Sequence, residues 1–259
     1  MTTFENDGVT LAFDDNDASG TPSFVFVHGW TCNRSFFAPQ FEHFGRDHRA
    51  IAVDLRGHGE SSPANDGDYS VATFASDVAA LIEHLGIAPA VVVGHSLGAV
   101  IAAQLTGTRP DLVAAAVLVD VAPIVLADDM RGVFEGLFQA LRGPDSEATF
   151  AAMVSTMFLE TDNAARRAEI TAAMTKTPLE IAIPAIEGIL ANGSAALAAV
   201  TRPIVSIGAA VPFHENAVLK AVNPNIVIGQ TVGAGHFNQL EVPGQVNAMI
   251  EQFLSVNGI

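Results

Sequence analysis

Apolar and polar positions along the first half of the chain follow two different spacings. Short β-branched runs at 23–27, 49–53 and 90–93 have the composition of buried strands. The segment 71–85 instead carries apolar residues at helical spacing and stops at Gly86, which predicts a helix with a glycine cap. Strands that alternate with helices predict a mainly parallel sheet with helices on both of its faces.

The alternation stops near residue 122 and returns near residue 201. Because the interval has only helical patterns, we expect an all-helical cap at 122–200, inserted into a core domain formed by 1–121 and 201–259. The predicted cap helices lie near 127–142, 146–160, 162–175 and 179–191. The remaining predicted strands are 2–4, 9–13, 112–119, 204–207 and 225–228, and the remaining helices are 36–44, 213–222 and 246–256.

The stretch 90–109 has the most specific chemical meaning. A β-branched strand is followed by Gly94-His95-Ser96-Leu97-Gly98 and then by a segment of helical character, which is the order found in a nucleophile elbow. The backbone reverses so sharply at the serine that a side chain two residues away on either side would clash, and glycine avoids this clash. The following helix favours negative charge at its N-terminus. We therefore predict that Ser96 is a catalytic nucleophile.

Composition argues against several classes of function. The net charge of −16 disfavours binding to nucleic acid or to an anionic membrane. No apolar run is long enough to span a bilayer and no secretory signal is apparent, so we expect a cytoplasmic protein. A single cysteine, Cys32, excludes an internal disulfide framework. No cluster of His, Asp and Glu has the spacing of metal ligands, so no metal is expected.

Four motifs occur in order along the chain. They are His28-Gly29-Trp30 after the third predicted strand, DLRGHGES at 54–61, GHSLG at 94–98 and GAGHFNQLEVP at 233–243. With these motifs the chain resembles the α/β-hydrolases, the superfamily of lipases, esterases and lactonases, over essentially its whole length. The resemblance implies a mostly parallel eight-stranded sheet flanked by helices, with an all-helical cap insertion and no cofactor. It does not define the reaction, because the fold supports many chemistries.

The resemblance also implies roles for individual residues in acyl transfer. A serine hydroxyl is a poor nucleophile at neutral pH, so a neighbouring imidazole must accept its proton; His236 matches the base of the family. The tetrahedral intermediate needs two N–H donors. In the family one comes from the residue after the nucleophile, here Leu97, and the other from the loop after the third strand, here Trp30.

The acidic member of the expected triad departs from the commonest pattern of the superfamily. Many relatives have an aspartate just after the seventh strand, but here the stretch 203–212 contains no carboxylate. Asp120, at the end of the sixth predicted strand, matches a subset of the superfamily with an acid at that position, and a carboxylate there can orient the imidazole. The open alternatives are Glu215, Asp128 or Asp129, and a site without a functioning acid in which Asp120 only caps a helix.

The predicted cap is rich in Phe, Met, Leu and Ala, which indicates a mostly apolar small-molecule substrate. The candidate substrate-binding residues are Trp30, Phe134, Phe138, Met153, Met157, Phe158 and Phe237.

Several other polar residues are interpreted as structural. We expect His28 to orient the oxyanion loop and His95 to pack beneath the elbow. Asp54 and His58 are expected to hold their loop by hydrogen bonds, and Glu241 to cap the final helix.

Three functional hypotheses follow. The leading one is hydrolysis of a carboxylic ester or lactone through an acyl-Ser96 intermediate, with His236 as base and then acid and Asp120 orienting it. The second is a cofactor-independent dioxygenase of hydroxyquinolone-like heteroaromatics, because such relatives keep a His–Asp dyad that deprotonates the substrate; here the dyad is His236–Asp120. The third is a receptor that binds a small molecule without turnover.

Overall fold

The computed structural model describes residues 2–125 and 128–259, without the side chains of 128–131 and 190–192. The strands are β1 (Thr2–Asn6), β2 (Val9–Asp15), β3 (Phe24–Val27), β4 (Ala50–Val53), β5 (Ala90–His95), β6 (Val113–Val119), β7 (Ile204–Gly208) and β8 (Val227–Gln230). These eight strands form one sheet in the order β1-β2-β4-β3-β5-β6-β7-β8. The first two strands are antiparallel to their neighbours, and the other six are parallel to one another.

Helices cover both faces of this sheet, because each central strand is apolar on both sides. Val25 and Val27 belong to one buried layer, whereas Phe24 and Phe26 belong to the other. The helices are α1 (Ala38–Phe44), α2 (Val71–Leu85), α3 (Leu97–Thr108), α4 (Asp128–Leu141), α5 (Ser146–Ser155), α6 (Ala164–Met174), α7 (Leu179–Ala198), α8 (Asn216–Val222), α9 (Asn238–Glu241) and α10 (Pro243–Val256). The first layer includes residues of α2, α3 and α7, and the second includes residues of α1 and α10.

The predicted eight-stranded and mostly parallel sheet, flanked by helices, is confirmed. The bounds of α2 coincide with the predicted segment, and Gly86 ends the helix in the left-handed conformation with φ 63°. The strand β5 continues two residues beyond its predicted end, through Gly94 and His95, before the chain turns. The four-residue helix α9 has no counterpart among the predicted elements, because one helical turn carries too little periodicity to recognise.

The four helices α4 to α7, named here the helical insertion (residues 128–198), follow β6 and precede β7. The last of them, α7, packs against α2 and α3 of the core. The insertion therefore begins beyond the carboxyl end of β6, at the edge of the sheet where ligands bind in such folds, and leads back to the amino end of the adjacent parallel strand β7. The division into a core and a cap at residues 122 and 200 stays a prediction. Among the described helices, none is both long and apolar enough to cross a bilayer.

Candidate active site

Ser96 stands on a sharp turn between β5 and α3. Its backbone has φ 55° and ψ −114°, a region that a non-glycine residue adopts only when its surroundings hold it there. A Cβ on Gly94 would overlap the carbonyl oxygen of Gly98, and a Cβ on Gly98 would overlap that of Val27. Both glycines of the elbow are therefore required by close packing, as the motif predicts.

His236 and Asp120 form a buried hydrogen-bonded pair. The distance between His236 Nδ1 and Asp120 Oδ2 is 2.6 Å, and the side chains are 5% and 2% exposed. Because a carboxylate only accepts hydrogen bonds, the proton lies on Nδ1 and leaves Nε2 free to accept another. Asp120 Oδ1 accepts a second bond, at 2.8 Å, from the N–H of Ala209, the first residue after β7. The carboxylate thus spans from the end of β6 to the end of β7.

The structure places Ser96, His236 and Trp30 in the wall of one cavity of about 210 Å³. Within the described part of the chain, Ser96 Oγ makes no hydrogen bond. Contacts between a nucleophile and its base are often long in unliganded enzymes and shorten when substrate binds. The arrangement therefore provides a hydroxyl and an imidazole that face the same small space.

The alternative acids lie elsewhere or outside the description. Glu215 is exposed at the N-terminus of α8, and its side chain makes no capping hydrogen bond. The side chains of Asp128 and Asp129 lie outside the described residues. Asp120 is consequently the carboxylate that the structure brings to the histidine.

The predicted donors to an oxyanion are the backbone N–H groups of Leu97 and Trp30. Leu97 begins α3, where a first-turn N–H has no partner within the helix. Trp30 lies in the loop after β3, and among the described residues neither its N–H nor that of Leu97 donates to a protein acceptor. A Cβ on Gly29 would lie 3.1 Å from Ser96 Cβ, so this loop packs directly on the elbow. The indole Nε1 of Trp30 donates instead to Ala182 O in α7, at 2.6 Å.

The cavity wall is mainly apolar and comes largely from the insertion. Of the candidate substrate-binding residues, Trp30, Phe134, Met153 and Met157 line it. The other lining residues, which the sequence analysis did not select, are Ala122, Pro123, Val133, Leu137, Thr156, Ile186, Ile189 and Phe213. Leu137 is three residues after Phe134 on α4, so helical spacing from Phe134 could have indicated it, and Val133 is four residues before Leu137 on the same face. Phe213 follows β7, and no local pattern indicates that it reaches the site.

The remaining three candidates lie outside this lining. Phe138 is buried in the core and packs against Phe134, with 6.2 Å between ring centroids. Phe158 stacks on Phe237 at 5.3 Å, and Phe237 is fully buried beside the ring of His236. These three rings point toward the core and not into the cavity. They pack behind the residues that line the cavity wall.

Two buried histidines brace the site. Burial lowers the pKa of His28 to about 4, so the ring is neutral. Its Nδ1 donates to Gly29 O at 2.8 Å, and its Nε2 accepts from the N–H of Leu55 at 3.0 Å, which holds the loop that carries Trp30. Burial also lowers the pKa of His95 well below its usual value. His95 Nε2 donates to His236 O at 2.9 Å and supports the predicted base from below.

The loop after β4 is held as expected, whereas Glu241 differs from its prediction. Asp54 accepts hydrogen bonds from the backbone N–H groups of Arg34 and Glu60, at 2.6 and 2.9 Å. Glu241 does not cap α10; it lies 3.5 Å from Arg166 of the insertion. Val242 is the N-cap residue of α10, and Glu241 is the last residue of α9, so Glu241 lies one position too early to cap α10.

Cys32 does not belong to the candidate site. Cys32 is buried, burial raises the pKa of its thiol, and it does not line the cavity. Among the side chains that the structure describes, which exclude 128–131 and 190–192, no three His, Cys, Asp or Glu are grouped as ligands for a metal ion.

Comparison with known proteins identifies the family. The profile of the family described as alpha/beta hydrolase fold matches residues 22–192, and the chain therefore belongs to this family. A bifunctional esterase/perhydrolase of Acinetobacter calcoaceticus is 38% identical over 119 residues, which are 45% of this chain and 43% of that protein. A 2-(acetamidomethylene)succinate hydrolase of Mesorhizobium japonicum is 38% identical over 104 residues, 40% of this chain and 37% of that protein. The chain thus spans less than half the length of these relatives.

Solved structures show the same fold over almost the whole chain. An enol-lactonase from Burkholderia xenovorans superposes with a TM-score of 0.85 at 20% identity, covering 98% of this chain and 100% of that one. A thermophilic esterase from Thermogutta terrifontis superposes with a TM-score of 0.82 at 23% identity, covering 98% and 96%. At these sequence identities the likeness shows a shared fold and no more.

Proposed function

We propose that this protein hydrolyses a carboxylic ester or lactone of a small, mostly apolar molecule through an acyl-Ser96 intermediate. The observation that carries the proposal is the 2.6 Å hydrogen bond between His236 and Asp120, beside a cavity that Ser96 shares with the histidine. The relatives named esterase, lactonase and hydrolase support it.

The proposed reaction proceeds by the steps of acyl transfer. His236 Nε2 takes the proton as Ser96 Oγ attacks the carbonyl carbon, and the carbonyl electrons move onto oxygen. The N–H groups of Leu97 and Trp30 stabilise that oxyanion. Its collapse expels the alcohol oxygen, which takes the proton from the imidazolium. Water then attacks the acyl-enzyme by the same route and releases the acid, while Asp120 stabilises the positive imidazolium in both halves.

The cavity restricts the substrate in size and charge. Its volume of about 210 Å³ equals about seven water molecules at ~30 Å³ each and is smaller than the sites that take drug-sized ligands. Among the described lining residues there is no Lys or Arg, and the hydroxyl of Thr156 is already donated to Met153 O. A substrate carboxylate buried against these residues would find no cationic partner among them and would carry a high desolvation cost. We therefore expect uncharged substrates with short acyl or small aromatic groups.

The test uses p-nitrophenyl esters of increasing chain length and a set of lactones. Ser96→Ala is expected to lose turnover to the uncatalysed background with an unchanged melting temperature, and a phosphonate is expected to label Ser96 in the unsubstituted protein. Ser155→Ala, which changes an exposed serine of α5, is the matched control and retains activity.

Turnover that persists in Ser96→Ala contradicts the acyl-enzyme. Oxygen consumption with a hydroxyquinolone, without release of acid from any ester, would favour the dioxygenase hypothesis, because that chemistry uses the His236–Asp120 pair without acylating a serine. Phosphonate labelling of Ser96 would argue against the non-catalytic receptor.

A further inference from the structure

The loop that carries His236 is held from the side of the helical insertion as well as from the core. The N–H of Gly235 donates to Asp162 Oδ1 at 3.0 Å, and the N–H of His236 itself donates to Met157 O at 2.9 Å. Both acceptors belong to the connection from α5 to α6, which together with the first residues of α6 is named here the clasp (residues 157–166). Two consecutive backbone N–H groups of the histidine loop thus donate hydrogen bonds to the insertion.

Asp162 is the side chain that joins the clasp to this loop. It is only 5% exposed, and its second oxygen, Oδ2, accepts from the N–H of Leu159 at 2.8 Å. Among the described residues, no Lys or Arg pairs with it; both oxygens are bound by backbone N–H groups. Burying a carboxylate is costly unless such bonds offset the lost hydration. The carboxylate therefore holds two segments of backbone together.

Further contacts fasten the same two segments. Arg166 Nη1 donates to Leu240 O at 2.7 Å, and the ring of Phe158 stacks on that of Phe237. The clasp and the histidine loop are in direct contact: a Cβ added at Gly235 would lie only 2.5 Å from Asp162 Oδ2. A displacement of the clasp would consequently displace the backbone on both sides of the histidine.

We propose that Asp162 is a positioning residue for His236, through which the insertion sets the geometry of proton transfer in addition to forming the cavity wall. The inference rests on the proposed function, in which His236 is the base. Asp120 defines the direction of the imidazole, and the clasp defines where the backbone of residue 236 lies. A misplacement of about 1 Å at a reacting group can lower a rate about 100-fold.

The test compares Asp162→Ala and Asp162→Asn with Glu160→Gln, which removes one negative charge from an exposed position of the same clasp. We expect kcat for a short p-nitrophenyl ester to fall about 10- to 100-fold in Asp162→Ala, with KM changed less than about threefold. The kcat of Asp162→Asn is expected to lie between those of Asp162→Ala and the unsubstituted protein, because an amide oxygen still accepts one N–H. Glu160→Gln is expected to match the unsubstituted protein.

A second readout follows the base without turnover. The Nδ1 proton of His236 in its bond to Asp120 is expected to give a downfield proton NMR signal, shifted or broadened in Asp162→Ala and unchanged in Glu160→Gln. An unchanged signal and an unchanged kcat in both Asp162 variants would overturn the proposal. A loss of stability with an unchanged signal would overturn it too, by showing a structural role only.

The two readouts separate failure of this proposal from failure of the proposed function. If the unsubstituted protein hydrolyses no ester, the proposed function fails, and the NMR comparison still tests whether Asp162 positions His236. If Asp162→Ala does not fold, Asp162→Asn supplies both measurements.

Discussion

Strained residues gather around the candidate site. Thr31, Ser96 and Asp120 have φ of 54°, 55° and 38°, values that cost a non-glycine residue about 1–3 kcal/mol each. Each is held by its neighbours: Thr31 Oγ1 donates to Trp30 O, and the N–H groups of Ser96 and Asp120 donate to adjacent strands. The strain therefore lies where a loop, a hydroxyl and a carboxylate are presented to one cavity.

The assignment of the acid is tested by two substitutions. Asp120→Asn is expected to lower kcat/KM for a good ester by about 10³- to 10⁴-fold, because an amide no longer stabilises the Nδ1-protonated imidazole or its cation. Glu215→Gln, at another position considered for the acid, is expected to leave kcat/KM within about twofold. A larger loss of kcat/KM in Glu215→Gln than in Asp120→Asn would assign the role of the triad acid to Glu215.

The packing of the elbow predicts opposite effects for two helical glycines. Gly98→Ala places a Cβ 2.5 Å from His28 O and closer still to Val27 O, so we expect unfolding or a loss of about 3 kcal/mol or more. Gly136→Ala, on an open face of α4, is expected to stabilise the protein by about 0.5–1 kcal/mol. Denaturant unfolding measures both, and equal effects would contradict the packing described for the elbow.

At the scale of elements, a buried ion pair joins α2 to the loop after β4. Arg56 Nε and Nη2 donate to the two oxygens of Asp77, at 2.6 and 2.7 Å, and both side chains are almost completely buried. Asn6 of β1 donates to the same carboxylate at 2.8 Å. One carboxylate therefore links a helix, a loop and the edge of the sheet.

Removal of this carboxylate should be far more costly than removal of an exposed one. Asp77→Ala leaves a buried guanidinium unpaired and is expected to lower the free energy of unfolding by about 3–5 kcal/mol. Glu83→Ala, on the same helix, breaks an exposed pair with Arg109 and is expected to cost at most about 1 kcal/mol. Chemical denaturation of the two variants makes the comparison, and similar losses would refute the role given to the buried pair.

At the scale of the whole molecule, several histidines are buried in the neutral form. Burial lowers the pKa of His28 to about 4 and that of His58 to about 3, from an ordinary value of 6.5. Below about pH 6.5 the unfolded chain binds protons at these residues before the folded chain does. Stability is therefore fully present above about pH 6.5 and falls as the pH drops toward the folded pKa values.

This linkage predicts the pH dependence of stability. The free energy of unfolding is expected to change little between about pH 8 and pH 7, and then to fall by up to about 1.4 kcal/mol per pH unit for each such histidine. Urea unfolding at a series of pH values measures the slope. His58→Gln removes one titrating group and should give a shallower slope below pH 6.5; an identical slope would contradict the assignment.

Local physical rules were sufficient to predict the core of the fold from sequence. Hydrophobic periodicity and glycine punctuation define the strands and α2, because they express which face of an element is buried and where a chain can turn. The elbow was equally predictable, since only glycine fits at Gly94 and Gly98. Asp120 was selected through the family resemblance, because a subset of the α/β-hydrolases has its acid after the sixth strand and the stretch 203–212 has no carboxylate.

Only the tertiary structure decided which side chains meet. His236 and Asp120 are 116 residues apart, and their contact depends on the order of β6 and β7 in the sheet. Which face of α4 lines the cavity, and that Asp162 of the insertion holds the histidine loop, depend on how the helices dock on the core. Docking is a sum of many weak contacts between distant segments, so no local pattern in the sequence specifies it.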